Sequence, residues 1–432
     1  MSQALMERLL QGRLADPDGA GVLAVPTRKV AIAADLAPHA AALLADLGLG
    51  PRLAVVLDPK TRAVLGERVV AGLAGANITE LVLEEMPKPD GETVARVRAA
   101  TAEADALVAV GSGTINDLCK YAAFLDCKPY VVFGTAPSMN GYTSVSAAIT
   151  EHGHKKSLPA AAPLGVFLDL AVLAAAPPRM IRSGLGDSIC RPTAQADWLL
   201  AHLLLDQAYR RAPFLLLEAD EAALLAKAGA LLAGDTGAME LLARTLVLSG
   251  FGMTICGGSY PASQGEHLIS HYIDMLGDPA WLPSFHGEHI AVTALTMARL
   301  QEAMLAGEAP VLSPTRLDEA ALIRHFGPAL GASCWAAFAR KAMDAPTTAA
   351  LNAKLKREWP EIRTALRQVT RSSADMETAL NAADAPTRPV DIHVPQAFYR
   401  QAVLQAREIR DRYSFLDLAA ESGRLDYLAA AA

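Results

Sequence analysis

Short apolar runs alternate with amphipathic segments through the first 170 residues of the chain. The runs predict six strands, at Val30–Ala33, Arg52–Asp58, Ile78–Leu83, Ala106–Val110, Tyr130–Gly134 and Leu164–Leu170. Helical periodicity fills the segments between them, and strands that alternate with helices form a parallel, doubly wound sheet. A polar stretch at Thr143–Thr150 predicts one arm of a hairpin that returns through Lys156–Leu158.

The pattern changes after Pro177 and Pro178. Long helical periodicities with short Gly or Pro breaks follow from Arg182 onward. We therefore predict an N-terminal extension at residues 1–27, an α/β domain at 28–178 and an all-α domain at 179–432. With this organisation, we expect a ligand to bind in the cleft between the domains, outside the carboxyl ends of the strands.

Composition narrows the range of partners. The hydrophobic fraction of 52% with only 5% aromatic residues suits helices packed on a parallel sheet. The net charge of −7 without a basic block argues against a nucleic-acid partner. The five cysteines form no CxxC pair, so neither a disulfide frame nor a structural zinc site is expected. We see no signal peptide and no apolar run of about 18 residues, and expect a cytoplasmic protein without a membrane span.

Histidines cluster in the segment Ser263–His289, which contains four of the chain's ten. His267 and His271 are four residues apart and share one face of a predicted helix. His286 stands at the predicted start of the next helix. Imidazole is a common ligand of zinc, nickel and iron, so these side chains form a candidate metal site. Surface or hydrogen-bonded histidines would show the same spacing, and the spacing alone does not decide.

A glycine-rich turn, Gly111–Thr114, follows the predicted strand Ala106–Val110 and opens a helix. Backbone amides and the helix dipole at such a turn can receive a pyrophosphate. The pattern is GSGTxxD and not the common GxGxxG fingerprint, and a plain tight turn would use the same glycines. Asp117 lies in the first turn of that helix, where a carboxylate also complements the dipole.

Three further polar positions are candidates for the site. Asp58 ends a strand, where a carboxylate can bind ribose hydroxyls and would repel a 2′-phosphate, or can form an ordinary turn. The loop Thr135–Tyr142 can line a pocket or form a polar surface turn. Asp187 follows a glycine turn and can be a third metal ligand or a helix N-cap.

Several of these segments together resemble the iron-containing alcohol dehydrogenase superfamily, and within it the glycerol-1-phosphate dehydrogenases, particularly the bacterial branch. The matching segments are VGSGTINDLCKYAAF, FGTAPSMNGYTS, APPRMIRSGLGD, ASQGEHLISHYID, FHGEHIAV and REIRDRYSFLDLA. They occur in the family's order across residues 28–420. The resemblance implies a dehydroquinate synthase-like fold, with a Rossmann-like NAD-binding domain, a helical metal-binding domain and a cleft between them.

The resemblance also implies roles for individual residues. The implied metal ligands are Asp187, His267 and His286, and His271 would lie near the nicotinamide and the substrate. The implied cofactor-binding residues are Gly111, Ser112, Gly113 and Thr114 at the pyrophosphate, Thr135 and Ser138 at the nicotinamide and Asp58 at the ribose. We add Asp117 to the cofactor-binding residues. The expected metal is zinc or nickel, with iron as a further candidate.

Asn140 and Arg191 indicate which type of active site within the superfamily the chain resembles. Asn140 stands where the family usually carries an Asp beside the substrate, and an amide can neither take a proton nor hold a charge. Either the proton route or the substrate is therefore different here. Arg191 stands four residues after Asp187, where iron-type alcohol dehydrogenases have another His ligand. This favours the three-ligand site of the glycerol type.

The implied function is reduction of dihydroxyacetone phosphate to sn-glycerol 1-phosphate by NAD(P)H, with NAD(H) preferred over NADP(H). His271 and Asn140 would be the residues beside the reaction, and we expect a homo-oligomer. One alternative is a related dehydrogenase acting on another polyol or phosphorylated ketone. A dehydroquinate-synthase-like cyclase and a nucleotide-binding protein without catalysis are the others, although the Asp in GLGD argues against the cyclase.

Overall fold

Six parallel strands form the sheet in the first half of the chain. The computed structural model describes residues 2–151 and 154–430, and its sheet strands are β1 (Lys29–Ala33), β2 (Arg52–Leu57), β3 (Asn77–Val82), β4 (Ala106–Gly111), β5 (Tyr130–Gly134) and β6 (Gly165–Asp169). Their order across the sheet is β1-β6-β5-β4-β2-β3. From β2 the chain continues to β3 toward one edge of the sheet, and from β4 it continues to β5 toward the other edge. Because parallel crossovers are right-handed, connections in opposite directions place their helices on opposite faces of the sheet. The predicted parallel, doubly wound sheet is confirmed.

Burial distinguishes the central strands of the sheet from its edge strands. Every residue of β4, β5 and β6 is buried, as is all of β2 after Arg52. The edge strands β1 and β3 consist of partly or fully exposed residues. Strands in the middle of a parallel sheet are covered on both faces and therefore carry continuous apolar runs. In the register of the sheet, Val108 pairs with Val55 on one side and with Val131 on the other.

The observed strands agree with the predicted ones to within one residue at each end. The predicted hairpin is also present, with arms at Ser146–Glu151 and His154–Pro159, while its turn residues 152 and 153 lie outside the described part of the chain. Its first arm begins three residues later than predicted, because Gly141–Thr143 forms a 3-10 turn.

Helices make up most of the remaining structure. Those that carry residues discussed below are α1 (Gly113–Leu125), α2 (Pro178–Ile189), α3 (Arg191–Leu205), α4 (Thr236–Ile255), α5 (Gly265–Leu276) and α6 (His286–Ala306). Further α-helices are Ser2–Leu10, Ala40–Leu44, Pro59–Thr61, Glu67–Gly72, Gly91–Ala100, Leu170–Ala174, Ala212–Ala226, Glu319–Phe326, Pro328–Phe338, Ala345–Val369, Ser373–Ala382, Gln396–Gln405, Phe415–Glu421 and Leu425–Ala430. Near the N-terminus, Leu14–Ala15 pairs with Val22–Leu23 in a small antiparallel ladder.

Contacts divide the chain into two compact units. The first unit comprises Met1–Ser188, Arg211–Ser259 and Ala382–Asp384, and the second comprises Ile189–Arg210, Tyr260–Asn381 and Ala385–Ala432. The boundary predicted after residue 178 lies at the start of α2, whereas the first unit runs on to Ser188 and also takes Arg211–Ser259. The predicted extension at 1–27 packs within the first unit, where Met6 and Leu9 are buried.

Hydrogen bonds and close packing against Thr143 explain why α4 belongs to the first unit. The Thr143 hydroxyl donates to the carbonyl of Val247 at 2.7 Å, and the Thr254 hydroxyl donates to the carbonyl of Thr143 at 2.7 Å. A Cβ at Gly250 would lie 2.1 Å from Thr143 Oγ1, so the close approach requires a glycine. Helical periodicity reports that α4 is buried but not which element covers it.

Within the described residues, α4 is the one helix with the length and composition of a membrane span. Its mean hydropathy over 18 residues is 1.3, but 67% of that window is buried inside the protein. The core helix of a globular unit has the same properties, so this is weak evidence for a span.

The second unit holds α5 and α6 side by side on a large apolar core. Leu268, Ile269 and Tyr272 of α5 belong to the same buried cluster as Val292 and Met297 of α6. Close packing of this kind leaves little freedom for one helix to move against the other. The histidines on the two helices are therefore held at fixed separations.

Substitution of Gly184 by alanine should destabilise the first unit. An alanine Cβ would lie 1.6 Å from the carbonyl oxygen of Pro137, so the loop after β5 or helix α2 would have to shift. We expect a loss of about 2–3 kcal/mol in the free energy of unfolding, measured by urea denaturation. Gly91→Ala is the control, because a Cβ there meets no atom within 4 Å. Equal unfolding midpoints for the two variants would contradict the tight packing at Gly184.

Candidate metal and cofactor sites

Three predicted cofactor-binding segments follow three neighbouring strands. Asp58 follows β2, Gly111–Thr114 ends β4 and opens α1, and Thr135 follows β5. Parallel strands present their carboxyl ends at one edge, so the order β5-β4-β2 brings these segments together. The strand order reverses between β2 and β4, which is where doubly wound sheets bind nucleotides. The arrangement fits the predicted cofactor site, while cofactor binding itself stays a prediction.

The glycine-rich turn has the geometry of an open helix N-terminus. Strand β4 ends at Gly111, and α1 begins at Gly113 with Ser112 as its N-cap residue. The Ser112 side chain makes no capping hydrogen bond, so it does not occupy the first amides of the helix. A Cβ at Gly111 would lie 2.6 Å from Ile115 Cβ, which explains the glycine by packing alone. The turn therefore satisfies both the tight-turn and the pyrophosphate interpretations.

Asp58 and Asp117 both have structural partners. Asp58 caps the helix that follows β2, because its Oδ1 accepts from the Thr61 amide at 2.8 Å, while its Oδ2 accepts no bond from any described residue. Asp117 Oδ2 accepts from the Ala148 amide at 3.0 Å and thereby ties α1 to the hairpin. The turn chemistry considered for Asp58 is thus observed, and one carboxylate oxygen is left for a ribose hydroxyl.

The loop after β5 is internal. Thr135, Ser138 and Asn140 are all less than a tenth exposed, so the surface-turn alternative for this loop is wrong. The Ser183 hydroxyl of α2 donates to the carbonyl of Ser138 at 3.0 Å. The loop is therefore held against α2 in a defined conformation.

Asn140 and Asp187 are in direct contact. The Asn140 amide N–H donates to Asp187 Oδ2 at 2.7 Å, and the Asn140 side-chain amide donates to Ser249 Oγ at 3.2 Å. Asp187 is 2% exposed and lies two residues before the end of α2, so the capping alternative for it is wrong. Asn140 thus orients the carboxylate through its backbone and uses its side chain to bind α4.

The histidines predicted as metal ligands lie together in the second unit. His267 is the third residue of α5 and His286 is the first residue of α6, which confirms the predicted placement on consecutive helices. Their Nε2 atoms are 3.3 Å apart. Two zinc–nitrogen bonds at a tetrahedral angle place their nitrogens about 3.3–3.4 Å apart, so this pair has the spacing of two ligands of one cation.

His271 completes a group of three imidazoles. Its ring centroid is 6.0 Å from that of His267 and 6.2 Å from that of His286. The Nδ1 atom of His289 lies 3.5 Å from Asp274 Oδ1. Asp187, the third predicted ligand, belongs to the first unit, and its assembly with the histidines stays a prediction.

Glu266 is a residue of this centre that the sequence pattern did not single out. Its side chain is fully buried, and Oε1 accepts from His267 Nδ1 at 2.9 Å and from the Gln264 amide at 2.8 Å. The sequence did contain a sign of this role. Glu266 is a charged residue directly before a candidate metal ligand at the start of a predicted helix.

Lys120 is a second residue that the sequence pattern did not single out. Its fully buried ammonium donates to Gly141 O at 2.5 Å, to Ser144 Oγ at 3.1 Å and to Ser146 O at 3.1 Å. Burial lowers the pKa of Lys120 to about 8, against the opposing effect of Asp117 at 3.8 Å. Lys120 therefore anchors the segment that follows Asn140.

Comparison with known proteins identifies the family to which the chain belongs. Residues 31–177 match the family described as iron-containing alcohol dehydrogenase. The glycerol-1-phosphate dehydrogenase [NAD(P)+] of Methanothrix thermoacetophila is 31% identical over 277 residues, which cover 64% of this chain and 77% of that protein. The chain belongs to the glycerol-1-phosphate dehydrogenase family. The resemblance drawn from the sequence motifs is confirmed.

Other relatives define how far the likeness extends. The Halalkalibacterium halodurans glycerol-1-phosphate dehydrogenase [NAD(P)+] is 34% identical over 228 residues, and the match spans 51% of this chain and just over half, 57%, of that relative. Glycerol dehydrogenase from Schizosaccharomyces pombe aligns with a TM-score of 0.57 at 17% identity over 94% of this chain and 90% of its own. Maleylacetate reductase from Agrobacterium tumefaciens aligns with a TM-score of 0.61 at 18% identity over 94% and 96%. At such identities the structures show the fold alone, and they confirm the predicted fold class.

Replacement of Lys120 should reveal its lowered pKa. The folded state disfavours the protonated lysine, whose pKa rises from about 8 to its ordinary 10.5 on unfolding. Wild type should therefore gain stability relative to Lys120→Met as the pH rises through this window, on the order of 1–2 kcal/mol between about pH 7.5 and about pH 9.5. Urea unfolding of both proteins at the two pH values measures this difference.

The matched control for this experiment is Lys128→Met. Lys128 also donates to two backbone carbonyls, each at 2.7 Å, but it is only partly buried. A difference between wild type and Lys120→Met that stays constant across the pH window would contradict the argument.

Proposed function

We propose that this chain is a metal-dependent NAD(P)H oxidoreductase that reduces dihydroxyacetone phosphate to sn-glycerol 1-phosphate. The observation that carries the proposal is the 3.3 Å separation between the Nε2 atoms of His267 and His286. The names of the relatives, which include both the phosphorylated polyol and NAD(P)+, support the substrate and the cofactor. A cytoplasmic homo-oligomer that acts on a small molecule is part of the same proposal.

The proposed metal ligands are Asp187, His267 and His286. Two imidazole nitrogens and one carboxylate oxygen form a donor set suited to a divalent cation, with room for a substrate in the remaining position. This set does not choose between zinc, nickel and iron. The fit rests on the spacing of the two nitrogens and on the burial of Asp187, whose carboxylate is oriented by the Asn140 amide.

The proposed cofactor site lies at the carboxyl edge of the sheet. Amides of Gly111–Thr114 would bind the pyrophosphate, and the Oδ2 atom of Asp58 would accept from a ribose hydroxyl. Thr135 and Ser138 would line the nicotinamide side, with Asp117 supporting the turn through its bond to the hairpin. The carboxylate of Asp58 would repel a 2′-phosphate, which favours NAD(H) over NADP(H).

When bound, the cation would polarise the substrate carbonyl as a Lewis acid, and the reduced nicotinamide would supply the hydride. The residues of the chain supply orientation and the proton. His271 is the proposed donor to the hydroxyl oxygen of the product, because it adjoins both histidine ligands without being one of them. The Asn140 side-chain NH₂ donates to Ser249, so its Oδ1 would be the atom that accepts from a substrate hydroxyl, and an amide cannot carry a proton.

Asn140 also supports a second candidate, a dehydrogenase of the same family that acts on another polyol or phosphorylated ketone. Its side-chain amide is committed to Ser249 at 3.2 Å, and it replaces the carboxylate that the family usually carries there. NADH oxidation with a panel of phosphorylated and unphosphorylated ketones separates the two candidates, after loading with zinc, nickel or iron.

Removal of a proposed ligand should abolish reduction. In His267→Ala and Asp187→Ala, we expect loss of the bound cation and a fall in NADH oxidation of at least about 100-fold, because the Lewis acid is lost. Metal analysis, activity with dihydroxyacetone phosphate and circular dichroism are the measurements. His202→Ala is the control, since His202 is exposed and bonds the Gln207 carbonyl. Full turnover by a rigorously metal-free wild-type preparation would sink the proposal.

Asn140→Asp should raise turnover of dihydroxyacetone phosphate by about tenfold, because a carboxylate can pass a proton. Folding and metal content should be retained, since Asp187 is held by the backbone amide of residue 140 and the Ser249 hydroxyl can donate to the new carboxylate. Steady-state kinetics with a matched metal analysis checks this. Unchanged turnover with full metal content would show that Asn140 does not limit this reaction.

A further inference from the structure

We propose that Glu266 is a positioning residue that fixes the His267 imidazole for metal binding and couples it to the start of α5. The inference rests on the proposed metal centre and adds to it a residue outside the ligand set. It concerns contacts within the second unit only.

One oxygen of Glu266 joins the helix start to the ring. Oε1 accepts from the Gln264 amide at 2.8 Å and from His267 Nδ1 at 2.9 Å. The first amides of a helix lack partners within the helix, and a carboxylate is their favoured acceptor. The same oxygen therefore holds the His267 ring and the N-terminus of α5, and rotation of the ring would break its hydrogen bond to that oxygen.

The contact with Glu266 also determines which nitrogen of His267 can bind a metal ion. A carboxylate only accepts hydrogen bonds, so Nδ1 must carry the proton and Nε2 must carry the lone pair. The lone pair of Nε2 points toward His286 Nε2 at 3.3 Å, where a shared cation would lie. A carboxylate behind a metal-binding imidazole both orients the ring and raises its basicity.

Surrounding side chains hold Glu266 in this position. The Thr193 hydroxyl of α3 donates to the Cys190 carbonyl at 2.8 Å and lies 3.3 Å from Glu266 Oε2, so a polar group also faces the second carboxylate oxygen. Asp197, also on α3, accepts from the Gly265 amide at 2.9 Å and anchors the same helix start without touching the imidazole. A fully buried carboxylate without such partners would be strongly destabilising.

Cys190 offers a different interpretation of the same carboxylate. Cys190, Glu266 and His267 each present a ligand atom within 4.8 Å of the others, as a three-ligand metal site would. Oε1 of Glu266 already accepts two hydrogen bonds, and His267 faces Glu266 through Nδ1 and not through Nε2. Both facts favour positioning over ligation.

The test is the affinity of the full-length chain for Zn²⁺, measured by competition with a chromophoric chelator. We expect Glu266→Gln to weaken zinc binding by about tenfold and Glu266→Ala by up to about 100-fold. Glutamine keeps the shape and an acceptor oxygen but loses the charge, whereas alanine loses both. The unfolding midpoint of each metal-free variant is measured in parallel.

Two variants control for structural effects. Asp197→Asn should lower the unfolding midpoint, because an NH₂ group would face backbone donors, yet leave zinc affinity within about twofold of wild type. Cys190→Ser should also leave zinc affinity unchanged. Equal weakening by Asp197→Asn would assign the effect to helix stability, and weakening by Cys190→Ser would assign Glu266 to a ligand set; either result overturns the proposal.

The proposed function and this inference fail in different ways. If wild type binds Zn²⁺ and Glu266→Gln binds it equally well, the positioning role is overturned and the proposed function stands. If wild type binds Zn²⁺ through His267 but does not reduce dihydroxyacetone phosphate, the proposed function fails and the positioning role stands. If wild type binds no Zn²⁺, both are overturned for this metal.

Discussion

Buried carboxylates set the geometry on which both candidate sites depend. Asp169 accepts from the Leu36 and Ala171 amides, Asp187 from the Asn140 amide, Asp197 from the Gly265 amide and Glu266 from the Gln264 amide. Asp169 and Asp187 are 2% exposed, and Asp197 and Glu266 are fully buried. A buried polar or charged group without partners is unfavourable, so each of these carboxyl groups holds the backbone segment that donates to it. The loops and helix starts that carry the candidate site residues are therefore defined by electrostatics as much as by apolar packing.

In the first unit this constraint acts together with the sheet. The order β5-β4-β2 collects the polar segments at one edge, and hydrogen bonds then hold the loop after β5. Lys120 donates to that loop from one side and the Ser183 hydroxyl donates to it from α2. The Asn140 side chain itself bonds Ser249 of α4, so groups from α1, α2 and α4 fix this loop, and such a loop would hold a bound substrate in one orientation.

In the second unit the histidines proposed as metal ligands are held by two kinds of contact. An apolar core shared by α5 and α6 sets the distance between the helices, and Glu266 sets the rotation of one ring. Neither the shared core nor the contact with Glu266 can be inferred from the spacing of the histidines alone. Spacing indicates that His267 and His271 share a face, but the surface alternative would show the same spacing.

Local patterns in the sequence determined the six strands to within one residue, the consecutive histidine helices and the order of the family motifs. They did so because alternation, helical period and turn residues report local conformation and burial. Only the tertiary structure shows which distant residues meet, such as Asn140 and Ser249, which are 109 residues apart. It also shows that Arg211–Ser259 belongs to the same unit as the sheet. It also decided the roles of Glu266 and Lys120. A period shows that a side chain is buried, but its hydrogen-bond partner depends on which distant segment packs against it.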